Sequence, residues 1–436
     1  MSLVMNQQKS YIFGLLGIFL LLMFFSCKTA KLSDAEEKHR IGEYYEAAAI
    51  YRKVYTKTSP KKRDLRGYIA FRMAECNRLI NSTDKAISGY MNALRYEYPD
   101  SILNLRLGQM LQRKGRYTEA IKQYDAYLMY NPESQLAFNG IEGCQLAPVW
   151  KKNPTRYEVR RMEKFNSRRG EFCPMLTGEK YDQLNFTSSR TKDKEAKVSA
   201  ITGQYNNNFF LVKQDENGNW LNPEELEDEV NTEFDEGTSS FSADGNTMYY
   251  TYCSQDETGD RTSEIYVSTR SSAKWGKGTR TTIVKDSVTA LGHPAISPDG
   301  KYLYFTSDVV GGFGGKDLYR ARVAGSDFGP MENLGPEINT TGDEMFPYVR
   351  DSVTIYFASN GHPGAGGLDL FKATQDSTGH WKVENLGFPI NSSSDDFGIT
   401  FEGNKEKGFF SSNRNDARGF DHIYSFEKPT ITVRIE

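Results

Sequence analysis

The chain has 436 residues, enough for two or three domains that each bury a core. Its 54 basic and 57 acidic side chains leave a formal net charge of −3, so no global field draws it to nucleic acid or to an anionic membrane surface. The five cysteines, Cys27, Cys76, Cys144, Cys173 and Cys253, nowhere stand at C-x-x-C spacing, which excludes a zinc knuckle and a thioredoxin-type motif.

Lys9 precedes an apolar run from Tyr11 to Phe25 that ends in Ser26-Cys27. At about 1.5 Å rise per residue the run covers roughly 22 Å, short of a ~30 Å hydrocarbon core. Residues 1–26 therefore read as a cleaved export signal and 27–31 as a lipid-anchored N-terminus. Cys27 is the acylation site, although Phe24 and Phe25 depart from the usual Leu and small residue there. Several acyl chains on one cysteine anchor a protein stably where one would be marginal. With no acidic run after Cys27, the expected location is the periplasm-facing side of the outer membrane. Pairing of Cys76, Cys144, Cys173 and Cys253 is left open.

Residues 32–134 carry a helical repeat. Tyr44 to Ala47 with Tyr51, Asp84 to Ala86 with Tyr90, and Tyr117 to Ala120 with Tyr124 superimpose, and the units end near Pro60, Pro99 and Pro132. A small Ala lets paired helices approach, and an aromatic four residues later fills the groove on the same face. Proline then stops the second helix. The pattern resembles tetratricopeptide repeats, which form an α-solenoid with a concave surface suited to a partner. Tyr51, Tyr90 and Tyr124 are expected in its core. Residues 135–171 read as capping helices and a basic linker containing Lys151, Lys152, Arg156, Arg160 and Arg161.

From 172 to 427 the period changes. Leu184-Asn185-Phe186-Thr187-Ser188 recurs as Met248-Tyr249-Tyr250-Thr251, Leu303-Tyr304-Phe305-Thr306-Ser307, Ile355-Tyr356-Phe357-Ala358-Ser359 and Gly408-Phe409-Phe410-Ser411-Ser412. A second strand follows each copy, and Asp244-Gly245 and Asp299-Gly300 supply hairpin turns. Short strands in such units specify an all-β propeller. Five copies predict five blades, six if a degenerate copy is hidden. The last strand is expected to come from the other end of the array.

These units resemble the TolB-type propeller repeats. The whole order, with Gly292-His293-Pro294, Gly342-Asp343-Glu344-Met345-Phe346-Pro347 and Asn360-Gly361-His362-Pro363-Gly364, resembles the Bacteroidetes OmpA-family envelope lipoproteins, including the PorE-like group of the type IX secretion system. That resemblance implies an α-solenoid followed by a propeller, envelope proteins as partners, and a link to the outer membrane through Cys27. Members of the family continue into an OmpA-like domain that binds peptidoglycan. Residues 428–436 read as the first strand of such a next domain. Peptidoglycan becomes a partner only if that domain exists, since the residues that would bind it are not in this sequence.

Chemistry-bearing motifs are few. The sequence has no G-x-S-x-G, no H-E-x-x-H and no P-loop, and Gly311 to Lys316 precedes a strand, so it reads as a loop between blades. His293 and His362 both stand in Gly-His-Pro. With Asp343 and Glu344 they form a candidate propeller-rim binding site. A metal there is conceivable from the donor types, but a histidine bonded within a Pro-bounded loop is the simpler reading. The expectation is therefore no metal, no cofactor, no catalytic residue and no enzyme. The leading functional expectation is a lipid-anchored scaffold for an envelope assembly such as a secretion system. One alternative is a periplasmic propeller that binds a ligand or glycan. A second is a propeller enzyme such as a lyase that uses His293 and His362.

Overall fold

A computed structural model describes residues 30–226, 229–255, 261–271, 274–284 and 289–430. Cys27 and the expected signal lie outside these residues, as does the tail from 431. No described helix is long and apolar enough to cross a membrane.

Seven helices come first: α1 Leu32–Arg40, α2 Tyr44–Lys57, α3 Arg63–Leu79, α4 Thr83–Arg95, α5 Ile102–Arg113, α6 Tyr117–Leu128 and α7 Gln135–Lys152. Each packs on its sequence neighbour. The repeat explains why: Ala47, Ala86 and Ala120 are fully buried, and Tyr51, Tyr90 and Tyr124 fill the core beside them. A Cβ on Gly108 or Gly140 would meet the Tyr124 ring at 2.8 or 2.6 Å, so only glycine admits that ring. Its hydroxyl donates to Gln112 Oε1 at 2.6 Å, which satisfies the one polar atom the burial would strand.

Five four-stranded sheets follow. Blade I comprises Glu171–Thr177, Gln183–Ser188, Asn208–Lys213 and Glu224–Glu225. Blade II comprises Asp235–Phe241, Thr247–Gln255, Arg261–Thr269 and Thr279–Arg280. Blade III comprises Leu291–Ile296, Tyr302–Ser307, Asp317–Ala324 and Asp327–Asn333. Blade IV comprises Glu344–Val349, Thr354–Ser359, Asp369–Gln375 and Trp381–Asn385. Blade V comprises Asp396–Phe401, Lys407–Ser412 and His422–Glu427, and its outer strand is Glu158–Arg161. The first strands of successive blades touch one another around the axis, including those of blades V and I, so the ring closes.

The closing strand corrects one reading. Residues 135–171 are not capping helices and a basic linker throughout: α7 ends at Lys152, and Glu158–Arg161 pairs antiparallel with His422–Glu427. Its alternating burial, with Val159 and Arg161 half-buried and Glu158 and Arg160 exposed, is that of an outer strand. The basic side chains thus decorate a sheet edge, which the charges help protect from further pairing.

The aromatic repeat has a direct structural cause. Phe186, Tyr250, Phe305, Phe357 and Phe410 stand opposite Phe210, Tyr266, Tyr319, Phe371 and Tyr424 on the neighbouring strand. Ring centroids lie 5.8 to 6.3 Å apart in the five pairs. Such cross-strand pairs fix register, because a slip of one residue would turn every ring to the wrong face.

Candidate ligand site between the helical layer and the propeller

Every inner strand carries a β-bulge. At each bulge one residue takes positive φ: Cys173 at 49°, Thr238 at 52°, His293 at 52°, Phe346 at 54° and Gly398 at 59°. Non-glycine residues rarely adopt that region, and a bulge is a device that re-aims a side chain. The strain is answered by hydroxyls from the preceding blade. The amides of Cys173, Thr238 and His293 donate to Ser411, Thr187 and Thr251 at 2.7, 3.1 and 2.8 Å. Those hydroxyls are the Thr and Ser of the aromatic repeat, so one sequence motif both packs a blade and laces it to the next.

A second repeated device frames the inner strands of blades I, II, IV and V. Asn166, Asn231, Asn339 and Asn391 each accept an amide and donate to the carbonyl of one residue on the third strand of the preceding blade. The next residue, Ser or Thr, binds a buried acid four positions on: Glu171, Glu236, Glu344 or Asp396. Arg190 neutralises Glu171, and Arg414 neutralises Asp396. Glu236 and Glu344 have no such cation among the described residues, and burial pushes each carboxyl up to about 7. Glu344 therefore faces into the fold, bonded to Thr340 and Ser359. It belongs to the frame of the repeat.

The helical layer lies across the mouth of the propeller. Gln112 of α5 donates to the Gly364 carbonyl at 2.9 Å, Tyr117 of α6 to the Ala365 carbonyl at 3.0 Å, and Asn139 of α7 to the Gly361 carbonyl at 2.8 Å. Arg113 pairs with Asp395, and both side chains are almost buried. A Cβ on Gly143 would collide with the Gly364 backbone, so glycine sets the closeness of α7 to this loop. Between the two layers remains a cavity of about 640 Å³. Its propeller wall includes Phe172, His293, Phe346 and Phe397, and its helical wall includes Arg106, Gln109 and Met110. His293 stacks on Phe346 with centroids 3.8 Å apart, and Phe346 packs on Phe397 at 4.6 Å. An aromatic floor is thereby rimmed by charged and amide groups.

Three of the four residues singled out at the rim, His293, Asp343 and His362, line this one cavity. Desolvation, reinforced by Lys316, pushes His293 down to about 3, so its ring is neutral. Its Nδ1 has no protein partner. His362 is held by the Ile338 carbonyl at 2.8 Å and wedged against Phe357 and Phe371, and burial lowers its pKa too. Asp343 is bracketed by Asn360, whose amide donates to Oδ2 at 2.8 Å. The described residues hold no group of three His, Cys, Asp or Glu arranged for a metal ion.

Two local sequences look alike and are not equivalent. His293-Pro294 is an inner-strand bulge, whereas His362-Pro363 follows a second strand. The true repeat partners of His293 are Phe346, before Pro347, and Cys173, before Pro174. That alignment was the signal for Phe346. Nothing in the sequence pointed to Arg106, Gln109 or Asp421, which reach the cavity only because of how the layers dock. Cys76, Cys144 and Cys173 are buried thiols outside any disulfide.

No known family model and no curated protein sequence matches the chain. Solved structures similar to it include a thermostable family-43 glycoside hydrolase, at 12% identity over 61% of this chain and 91% of that one, with a TM-score of 0.41. A β-xylosidase, RS223, matches at 11% identity over 63% and 96%, with a TM-score of 0.40. An α-L-arabinofuranosidase from Lactobacillus brevis matches at 10% identity over 61% and 92%, with a TM-score of 0.38. At such identities the likeness is one of fold. Two expectations, the secretion scaffold and the absence of enzyme activity, find no support in these comparisons: solved structures similar in fold include glycoside hydrolases and also peptidases, and a likeness this distant extends to the fold alone. Gln112, Tyr117 and Asn139 are engaged by the chain's own propeller, so that part of the helical surface is not free for a partner.

Proposed function

We propose that this protein binds a glycan in the cavity enclosed by its helical layer and propeller mouth. The observation that carries the reading is the stacked His293–Phe346–Phe397 floor inside a cavity of about 640 Å³ whose rim holds Asn360, Gln109, Asp343 and Arg106. A sugar presents an apolar C–H face and a belt of hydroxyls, and an aromatic floor with a few convergent polar groups complements both. A glycan array probed with the intact chain, followed by thermal-shift measurement, tests this. Saturable binding of an oligosaccharide is expected, and a blank array with no shift would overturn it.

One observation favours catalysis in the same cavity. Asp421 lines it, one carboxyl oxygen lacks a protein partner, and burial followed by the nearby Asp395 pushes its carboxyl up to about 7. A carboxyl held up to about 7 next to a second carboxyl group is suited to donating a proton in acid–base hydrolysis. Release of reducing ends from the bound glycan, abolished in Asp421→Asn, is the expected result. Binding without release in the wild type would leave only the binding function.

We further propose a helical-repeat class and a cellular location. The helices fit tetratricopeptide-type pairs, a reading supported by buried Ala47, Ala86 and Ala120 beside buried Tyr51, Tyr90 and Tyr124. An outer-membrane location with OmpA-family kinship is supported by the run before Cys27 and by the repeat motifs. Metabolic labelling with palmitate should mark the wild type and not Cys27→Ala, and equal labelling would refute the anchor.

A further inference from the structure

The charges around the cavity are unevenly matched. Four cations line it: Arg78, Arg106, Arg113 and Lys316. Arg78 is paired with Glu75 at 2.9 Å, and Arg113 with Asp395. Arg106 and Lys316 make no ion pair among the described residues, and the hydrogen bond of Arg106 is to Gln109 on its own helix, at 3.1 Å. Desolvation, followed by repulsion from Arg78, lowers the pKa of Arg106. Glu75, Tyr90 and Asp343 offset part of that cost, but no carboxylate closes an ion pair on this half-buried guanidinium among the described residues. Arg106 stands on the helical wall and Lys316 on the propeller wall, so a ligand in the cavity would lie between them.

Resting on the glycan reading, we infer that the bound sugar carries one carboxylate, a uronic-acid unit, held between Arg106 and Lys316. The acids at the rim limit the charge the site accepts. Asp395 is already satisfied by Arg113, Asn413 and the Leu368 amide. Asp343, whose Oδ2 accepts from Asn360, stands on the cavity wall as well. A multiply sulfated chain would meet both, whereas a single carboxylate matches two unpaired cations and can take a bidentate grip from the guanidinium.

The test is calorimetric titration of the full chain with uronate trisaccharides (galacturonate, glucuronate and alginate types), their methyl esters and a sulfated trisaccharide. The ester removes the charge and leaves the sugar in place. Expected is a uronate bound about tenfold or more tighter than its ester, with the preference lost in Arg106→Gln and in Lys316→Gln. Lys316 is exposed, so its substitution does not endanger folding. Equal binding of uronate and ester, a preference that survives both substitutions, or tighter binding of the sulfated sugar would each overturn the uronate inference and leave the glycan site standing. Binding of no sugar by the wild type would overturn both.

Discussion

Blades IV and V are built on the same frame and are finished differently. Each opens on an Asp bracketed by an Asn, Asp343 with Asn360 and Asp395 with Asn413, and each buries the acid that follows, Glu344 or Asp396. In blade V both acids receive an arginine, Arg113 on Asp395 and Arg414 on Asp396. In blade IV neither does among the described residues, and Gly361 stands where Arg414 stands. Both blades dock the helical layer, blade V through the Arg113–Asp395 pair and blade IV through the carbonyls of Gly361, Gly364 and Ala365. Both also border the cavity, with Asp343 and Asp395 on its wall. What separates them is the arginine pairing of their acids.

The largest way to break the comparison is to open blade V. Arg113→Ala strands the buried Asp395 carboxylate, and losing one partner of a buried pair costs about 3–5 kcal/mol. Urea unfolding should show that loss, and limited proteolysis should find the helical layer released from the propeller. A change below about 1 kcal/mol, the range of a surface pair, would mean the pair does not hold the layers together.

Next comes pH. Glu344 has a folded pKa raised from 4.5 to about 7, so it favours the folded state at low pH. That contribution is present below about 4.5 and is lost as pH rises through 7. The loss amounts to roughly 3 kcal/mol at one pKa unit per 1.36 kcal/mol. Glu344→Gln should flatten the decline between pH 5 and 8, and Glu236→Gln should do the same in blade II. Burial raises the Asp396 carboxyl as well, but Arg414 beside it opposes that shift, which nothing does for Glu344 through an ion pair among the described residues. An unchanged slope in both variants would show that the missing arginine has no electrostatic consequence.

Much of this frame was legible in the sequence and some was not. The aromatic copies gave blade number and register because a ring at each position must meet its partner across the strand. Ala and Tyr spacing gave the helices for the same packing reason. The rim residues were half legible. His293 and Asp343 do meet in one cavity, but the shared Gly-His-Pro concealed that the equivalent of His293 is Phe346. The closing strand Glu158–Arg161 was hidden because its charges mask a weak alternation, and an outer strand needs little apolar surface. Arg106 and Arg113 were beyond reach, since their roles depend on one domain lying on another.

A smaller effect sharpens the docking side. Tyr117→Phe removes the hydroxyl that donates to the Ala365 carbonyl and should cost about 1 kcal/mol. A stability equal to wild type in urea would show that water replaces the bond.

The most direct test of the cavity as a glycan site is Phe346→Gly. Phe346 sits at φ 54°, where glycine is at ease, so the substitution removes the aromatic floor without straining the bulge. Calorimetric titration with the tightest array ligand should show affinity reduced about tenfold or more in the variant, with the propeller still folded by circular dichroism. Wild-type affinity in the folded variant would contradict binding on this floor.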